Sequence, residues 1–302
     1  MDFLRPASWS EALETKANHP DATPIAGGTD VMVELNFDRS RPGTLLDLTR
    51  VERLAQWSRD PRPGGAVLRV GAGVPYSRLI EELGTSLPGL AVAARTVGSP
   101  QIRNRGTLGG NLASASPAGD GHPPLIAAEA EVELESVRGT RTLPVSEFFT
   151  GVKRTALAAD ELVSAVHVPE ATGPQQFSKI GPRNAMVIAV CTFAVALHPR
   201  RGTVGTGMGA AAPTPRAATE AEEFLAGELT ESRRWERPDP LPESVVGRFG
   251  ELVARAAIPI DDVRGTARYR THALGVLARR TLGWAWDEYR NGTATAGRQG
   301  CA

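Results

Sequence analysis

Two short segments of this chain set paired glycines beside side chains that can hold a phosphate. The first is Ala26-Gly27-Gly28-Thr29-Asp30, with Val31 next in line. The second is Gly106-Thr107-Leu108-Gly109-Gly110-Asn111. Glycine permits positive φ and lets a ligand approach the backbone without meeting a Cβ. Successive N–H groups in such a turn form a concave anion site. Thr29 can donate its hydroxyl to a phosphate, and Thr29 and Asp30 can cap a following helix. Taken singly, each segment reads as an ordinary turn. Taken as a pair, they suit a bulky diphosphate and so a dinucleotide ligand.

The remaining polar motifs carry less. Asp120 lies in Ser116-Pro117-Ala118-Gly119-Asp120-Gly121-His122. It reads either as an Asx-turn or N-cap for a helix starting near Pro123, or as an acceptor for ribose or ribityl hydroxyls. His122 reads as a solvated loop histidine. His19, His167, His198 and His272 read as structural or surface residues. Gly205-Thr206-Gly207-Met208-Gly209 approaches the dinucleotide fingerprint, but its third glycine comes one residue early and Pro213 and Pro215 follow. It reads as a glycine-rich strand or hairpin with no phosphate role. No Gly-x-Ser-x-Gly elbow and no His-Glu-x-x-His pair is present.

The elements that must position these turns are short. Residues 8–18 read as a helix capped by Ser8 or Ser10. Strands are expected over 44–48, 66–73, 131–137 and 162–168, and a helix over 77–83. The segment 131–137 alternates strictly and implies one buried face. The polar stretch Pro169 to Pro174 marks a domain boundary. Beyond it, Met186 to Leu197 is a near-continuous apolar run and reads with 203–212 as a buried sheet. Helices are expected over about 217–225 and 267–289, with a polar, Pro-rich surface loop at 231–243. No regular βαβ rhythm is visible, so the fold class is α+β.

Composition narrows the function. The chain has 302 residues, beyond the usual size of a single core. Hydrophobic residues are 41% and charged residues 23%, which excludes a disordered chain. Lys+Arg and Asp+Glu both number 34, and a neutral chain argues against nucleic acid as partner. Two cysteines, Cys191 and Cys301, cannot supply the roughly four thiolates of an iron–sulfur cluster. No stretch approaches the roughly 20 apolar residues of a membrane span. The start at Met1 lacks a signal-peptide core. A soluble, cytoplasmic protein is expected, with no protein-ligated metal.

With these motifs in order, the chain resembles the FAD-binding medium subunit of the molybdenum hydroxylases, the family of the carbon monoxide dehydrogenase flavoprotein subunit and the flavin domain of xanthine dehydrogenase. Ala26 to Asp30, Gln101-Ile102-Arg103-Asn104, Gly106 to Asn111 and Ser116-Pro117-x-x-Asp120 carry the likeness. Phe148-Phe149-Thr150-Gly151, Glu161-Leu162-Val163 and Arg264-Gly265-Thr266-Ala267-x-Tyr269-Arg270 extend it to the C-terminal part. The resemblance implies a vanillyl-alcohol oxidase-like (PCMH-type) FAD-binding fold in two subdomains over 1–172. A C-terminal sheet-and-helix domain over 173–290 and a tail over 291–302 would follow.

By the same resemblance, Ala26, Gly27, Gly28, Thr29, Asp30 and Val31 would cradle the FAD diphosphate together with Thr107, Leu108, Gly109, Gly110 and Asn111. Asp120 would bind sugar or ribityl hydroxyls, and Lys179 would lie near the isoalloxazine. Where the xanthine dehydrogenase flavin domain carries a lysine, this chain has Ala189. No residue is expected to be catalytic. The implied partners are a molybdopterin-binding large subunit and a [2Fe–2S] small subunit, in a dimer of heterotrimers, with electrons leaving to NAD⁺, oxygen or another acceptor. Two rival readings are a stand-alone FAD oxidase of the vanillyl-alcohol oxidase type and a flavin-free scaffold subunit. A second domain of only about 120 residues disfavours the first, and the two intact glycine pairs disfavour the second.

Overall fold

The computed structural model describes residues 1–299, so Cys301 and the end of the expected tail lie outside the described residues. The chain opens with β1 (Asp2–Leu4), α1 (Trp9–Asn18), β2 (Thr23–Ile25), α2 (Val31–Asn36) and β3 (Thr44–Asp47). The three strands pair in parallel in the order β1-β3-β2. A miniature βαβ alternation therefore exists where the sequence shows none. Strand β3 matches the strand expected over 44–48, but the three-residue β1 and β2 are too short to leave a periodic signal. Ser8 caps α1 as expected, its Oγ accepting from the Glu11 N–H at 3.2 Å.

A second subdomain follows. It comprises β4 (Trp57–Asp60), β5 (Val67–Gly71), α3 (Tyr76–Glu82), α4 (Pro88–Arg95), α5 (Pro100–Arg105), α6 (Leu108–Ser114) and α7 (His122–Ala127). Then come β6 (Glu131–Ser136), β7 (Gly139–Pro144), α8 (Val145–Phe148), β8 (Phe149–Gly151), β9 (Arg154–Thr155) and β10 (Leu162–Pro169). Five strands form an antiparallel sheet in the order β4-β5-β10-β6-β7. Leu68, Leu79, Leu108, Leu134 and Phe148 are among the side chains that bury its core face.

Strand β6 was expected to bury one face, and it buries both. Val132 and Leu134 enter the core. Glu133 and Glu135 on the other face are covered by paired cations. Arg69 Nη2 donates to Glu133 at 2.5 Å and Arg53 Nη2 to Glu135 at 2.5 Å. The Trp9 indole N–H reaches Glu135 at 2.7 Å. Helix α1 is thereby stapled to the larger sheet. Alternation reports side-chain polarity, and a charged side chain with a partner can be buried as well as an apolar one.

The C-terminal unit holds β11 (Gln175–Ile180), β12 (Cys191–His198) and β13 (Thr203–Gly209), then α9 (Thr219–Glu231), α10 (Glu243–Ala256) and α11 (Ala267–Gln299). Its antiparallel sheet, ordered β11-β12-β13, packs one face on the three helices through Phe193, Leu225, Phe249 and Leu274. The other face lies on α4 and α7. A Cβ added to Gly205 would sit 2.1 Å from the Ala127 carbonyl oxygen, and one on Gly207 2.0 Å from that of Pro123. The alternating glycines of β13 thus let helix α7 lie directly on its backbone, which is a packing role. Helix α10 escaped the sequence reading. Its face of Val245, Phe249, Leu252 and Val253 has helical spacing but stands directly behind the Pro-rich loop. No helix among the described residues is long and apolar enough to cross a membrane.

Candidate cofactor-binding site

The two glycine segments meet. Strand β2 ends at Ile25, and the chain turns through Gly28 at φ +76° into α2. A Cβ on Gly27 would lie 2.0 Å from the Arg105 carbonyl oxygen and 3.0 Å from Gly106 Cα. Only glycine permits that approach. In the second segment Thr107 caps α6, its Oγ1 accepting from the Gly110 N–H at 3.0 Å. Its own O–H therefore remains available as a donor.

Between the turns lies a cavity of about 640 Å³, within the range of small-molecule sites. Ten of the thirteen residues expected at the site line it: 26–31 without a gap, then Thr107, Gly110, Asn111 and Asp120. Three do not. Leu108 is fully buried in the core. A Cβ on Gly109 would come within 2.4 Å of the Ala72 Cβ, and its N–H donates to the Ala72 carbonyl at 2.9 Å. Gly109 thus joins the turn to the chain just after strand β5. Lys179 stands behind Asp120.

Asp120 is 7% exposed. Its Oδ2 accepts from Lys179 Nζ at 2.5 Å and from Thr96 Oγ1 at 3.3 Å. Its Oδ1 has no protein partner. Burial raises the Asp120 carboxyl above the ordinary range, while the Lys179 ammonium and the Thr96 hydroxyl work to lower it. The side chain is not the N-cap of α7, whose cap position is Gly121. The open alternative thus resolves against capping.

His122 departs furthest from expectation. It is fully buried rather than solvated. Its ring lies 4.5 Å from that of Phe149, and Nε2 donates to the Asn111 carbonyl at 3.0 Å. Burial pushes it down to about 4, although the Asn111 and Ser116 carbonyls favour the charged form. It is neutral near pH 7 and supports the backbone at Asn111.

The sequence reading missed several contributors to the cavity. Tyr76 lines it, yet it shares the helical stripe of Leu79, Ile80 and Leu83 and so reads as core. Ser114 stands at the C-terminal end of α6 and lines the same cavity. Lys16 lies beside it, donating to the Pro20 and Ala22 carbonyls at 2.6 and 2.8 Å. Met186, Val187 and Ile188 line it from the C-terminal unit. They were expected to begin a buried strand, but β12 starts only at Cys191. Arg270 Nη1 takes the Val190 carbonyl at 2.9 Å, and a Cβ on Gly181 would stand 2.3 Å from Val187 Cγ1. Those contacts hold the segment as a loop.

The fold brings two glycine turns and a wall with polar side chains around one cavity. The chain belongs to the family of FAD-binding subunits of molybdenum hydroxylases, which are oxidoreductase subunits. Residues 1–171 match the model of the FAD binding domain in molybdopterin dehydrogenase. Residues 176–285 match that of the CO dehydrogenase flavoprotein C-terminal domain. The chain is 29% identical over 291 residues to the xanthine dehydrogenase FAD-binding subunit of Escherichia coli, covering 93% of this chain and 94% of that protein. It is 30% identical over 285 residues to the nicotine 6-hydroxylase medium subunit of Paenarthrobacter nicotinovorans, covering 93% and 95%. Among solved structures it is similar to a chain of carbon monoxide dehydrogenase from Hydrogenophaga pseudoflava, with a TM-score of 0.84 and 29% identity over 96% of this chain and 98% of that one. The cofactor of the family domain is FAD.

Proposed function

We propose that this chain is the electron-exit subunit of a molybdenum hydroxylase complex, holding FAD in the cavity between its glycine turns. Bound FAD supplies the chemistry that accepts electrons singly and delivers them in pairs. The chain's own residues bind, orient and shield it. The 26–31 turn offers backbone N–H groups and the Thr29 hydroxyl to the diphosphate, Thr107 offers its free O–H, Gly110 leaves room beside it for want of a Cβ, Asn111 offers its side-chain amide, and Asp120 Oδ1 accepts from a hydroxyl. Leu108, Gly109 and Lys179 act one step back: the first two hold the second turn on the core, and Lys179 holds Asp120. Lys179 therefore supports the cavity wall instead of facing the isoalloxazine.

The observation that carries this reading is the contact of Gly27 with Arg105, which brings both turns to one cavity. The proposed partners are a molybdopterin-binding large subunit and a [2Fe–2S] small subunit, arranged as a dimer of heterotrimers. The proposed division of labour is FAD binding over 1–172 and a C-terminal domain over 173–290. The similarity to proteins named as medium or FAD-binding subunits supports this reading. Substrate hydroxylation would take place on the large subunit, and NAD⁺ or oxygen would take the electrons from this one.

The test is to purify the full chain alone and with its co-expressed neighbours. One FAD per chain, no substrate turnover by the chain alone, and turnover with molybdenum and iron in the complex are expected. A colourless chain that takes up no added FAD would refute the proposal. Turnover by the isolated chain would favour the stand-alone oxidase.

A further inference from the structure

One arginine ties together three loops of the C-terminal unit. Arg270 stands in the first turn of α11 and is 3% exposed. Its Nη1 donates to the Val190 carbonyl at 2.9 Å and to the Ala210 carbonyl at 3.2 Å. Its Nη2 donates to Asp262 Oδ1 at 2.5 Å. Val190 immediately precedes β12 and Ala210 immediately follows β13. The two strands pair there, with Thr192 opposite Gly209. The guanidinium therefore clasps one end of the sheet. Asp262 offsets its charge, and the Arg264 N–H, donating at 2.7 Å, fixes that carboxylate. A planar guanidinium serves several acceptors in fixed directions, which an ammonium on a flexible stem does not.

The clasped end carries one wall of the cavity. Between β11 and β12 the chain runs out and back as a loop, closed where the Val190 N–H donates to the Ile180 carbonyl at 2.7 Å. Met186, Val187 and Ile188 of this loop line the cavity, whereas Arg270 does not. Met186 sits at φ +51°. A residue with a Cβ stays in that region only where its surroundings hold it. Arg183 grips the Met186 carbonyl from within the loop, and Arg270 grips Val190 at its base.

This wall differs in chemistry from the glycine turns. The turns offer N–H groups and hydroxyls, which suit a diphosphate. Met186, Val187 and Ile188 carry only apolar side chains, and Met186 and Ile188 are each 56% exposed. A flat ring laid against them would remove that apolar surface from water.

We propose that Arg270 is a positioning residue for the cofactor: by clasping Val190 and Ala210 it fixes the Met186–Ile188 wall, against which one aromatic end of FAD packs. The proposal rests on the reading that FAD occupies this cavity. The isoalloxazine and the adenine share the required chemistry, one on each side of the diphosphate.

The test measures FAD dissociation constants for the full chain freed of cofactor, in wild type, Arg270→Lys, Ile188→Ala and the double variant. FMN and ADP serve as competitors, and thermal unfolding without ligand checks each fold. Ile188 is largely exposed, so Ile188→Ala should unfold as wild type does. Each single variant should bind FAD roughly 3- to 30-fold more weakly. Because Arg270 acts through the wall, the double variant should lose less than the product of the two single losses. A loss shared by FMN and not ADP places the isoalloxazine on the wall, and one shared by ADP and not FMN places the adenine there. Unchanged FAD affinity in Arg270→Lys, a double loss equal to the product, or equal losses on FMN and ADP overturns the proposal. If Arg270→Lys does not fold, Asp262→Ala removes the carboxylate partner of the same guanidinium and takes its place in the cycle under the same criteria. If wild type takes up no FAD, the cofactor reading falls and this proposal with it. If wild type binds FAD and the cycle gives an overturning result, only this proposal falls.

Discussion

Lys179 Nζ donates to Asp120 Oδ2 at 2.5 Å, and each side chain is only 8% exposed. That pair ties β11 of the C-terminal unit to the wall of the cavity. Removing one member strands the other, at a typical cost of about 3–5 kcal/mol for a buried pair. Lys179→Met should lower stability by about that amount in urea titrations. The double variant Lys179→Met/Asp120→Asn should recover part of the loss. Additive losses would show that the pair is not coupled.

Asp120 also has a face toward the cofactor. Asp120→Ala should weaken FAD by about 1–3 kcal/mol if Oδ1 accepts from it. Because Asp120→Ala also strands Lys179, Lys179→Met serves as the control. Both variants break the pair, but only one removes the proposed acceptor. Equal FAD dissociation constants in the two would leave Asp120 with a structural role alone.

Gly27 and Gly110 separate close packing from cavity filling. A Cβ on Gly27 meets the backbone of Arg105 at 2.0 Å, so Gly27→Ala must push the two turns apart. A stability loss of about 1–3 kcal/mol is expected, together with loss of FAD. A Cβ on Gly110 meets only Thr107 Oγ1, at 3.0 Å, and the residue lines the cavity. Gly110→Val should fold with stability within about 1 kcal/mol of wild type, since valine is no worse than glycine in a helix. It should nonetheless retain no flavin. Flavin stoichiometry and thermal unfolding of both variants check this, and a folded Gly110→Val that keeps its FAD would sink the assignment of the second turn.

The two turns were legible in the sequence because glycine pairs beside hydroxyl and amide side chains are rare enough to notice and sit at fixed places in a family pattern. Their contact was not legible. It depends on the approach of Gly27 to Arg105, 78 positions further along the chain, which no local rule encodes. Tyr76 was hidden by its own spacing. A residue on an apolar helical stripe reads as core, and Tyr76 does pack there as well as lining the cavity. His122 was hidden by its polar neighbours in a glycine- and proline-rich stretch, which describe exposure on average and not for one ring. Met186 to Ile188 failed the other way: apolar residues read as strand but form a cavity wall. Of the parallel β1-β3-β2 sheet only β3 registered, as the apolar run over 44–48; the three-residue β1 and β2 did not, whereas the longer β6 and β10 stood out through alternation and apolar runs.

The Trp9–Glu135 bond links α1 to the main sheet at 2.7 Å, and Ser164 Oγ donates to the same carboxylate at 2.6 Å. Trp9→Phe keeps most of the packing and deletes the indole donor. A loss of about 1–2 kcal/mol is expected, because the bond ends on a buried charge. Measured against it, Glu135→Gln should cost more, since it also leaves the half-buried Arg53 without its carboxylate. Indistinguishable denaturation midpoints for Trp9→Phe and wild type would remove this staple from the account of how the subdomains hold together.

His122 gives the chain a pH dependence of predictable sign. Its ordinary value is near 6.5, and in the folded protein burial takes it down to about 4. Between those values the unfolded chain binds a proton that the folded one refuses. Stability from this group is thus fully present above about pH 6.5 and is lost as pH falls toward 4. The integrated loss is about 3 kcal/mol. His122→Gln does not titrate in this range and can still donate to the Asn111 carbonyl. The difference in unfolding free energy between wild type and His122→Gln should therefore shift by about that amount between pH 7 and pH 4, in the direction that favours the variant in acid. Parallel stability curves across the range would mean that the folded protein protonates His122 freely. The ring would then have to be less enclosed than its zero exposure and its bond to Asn111 indicate.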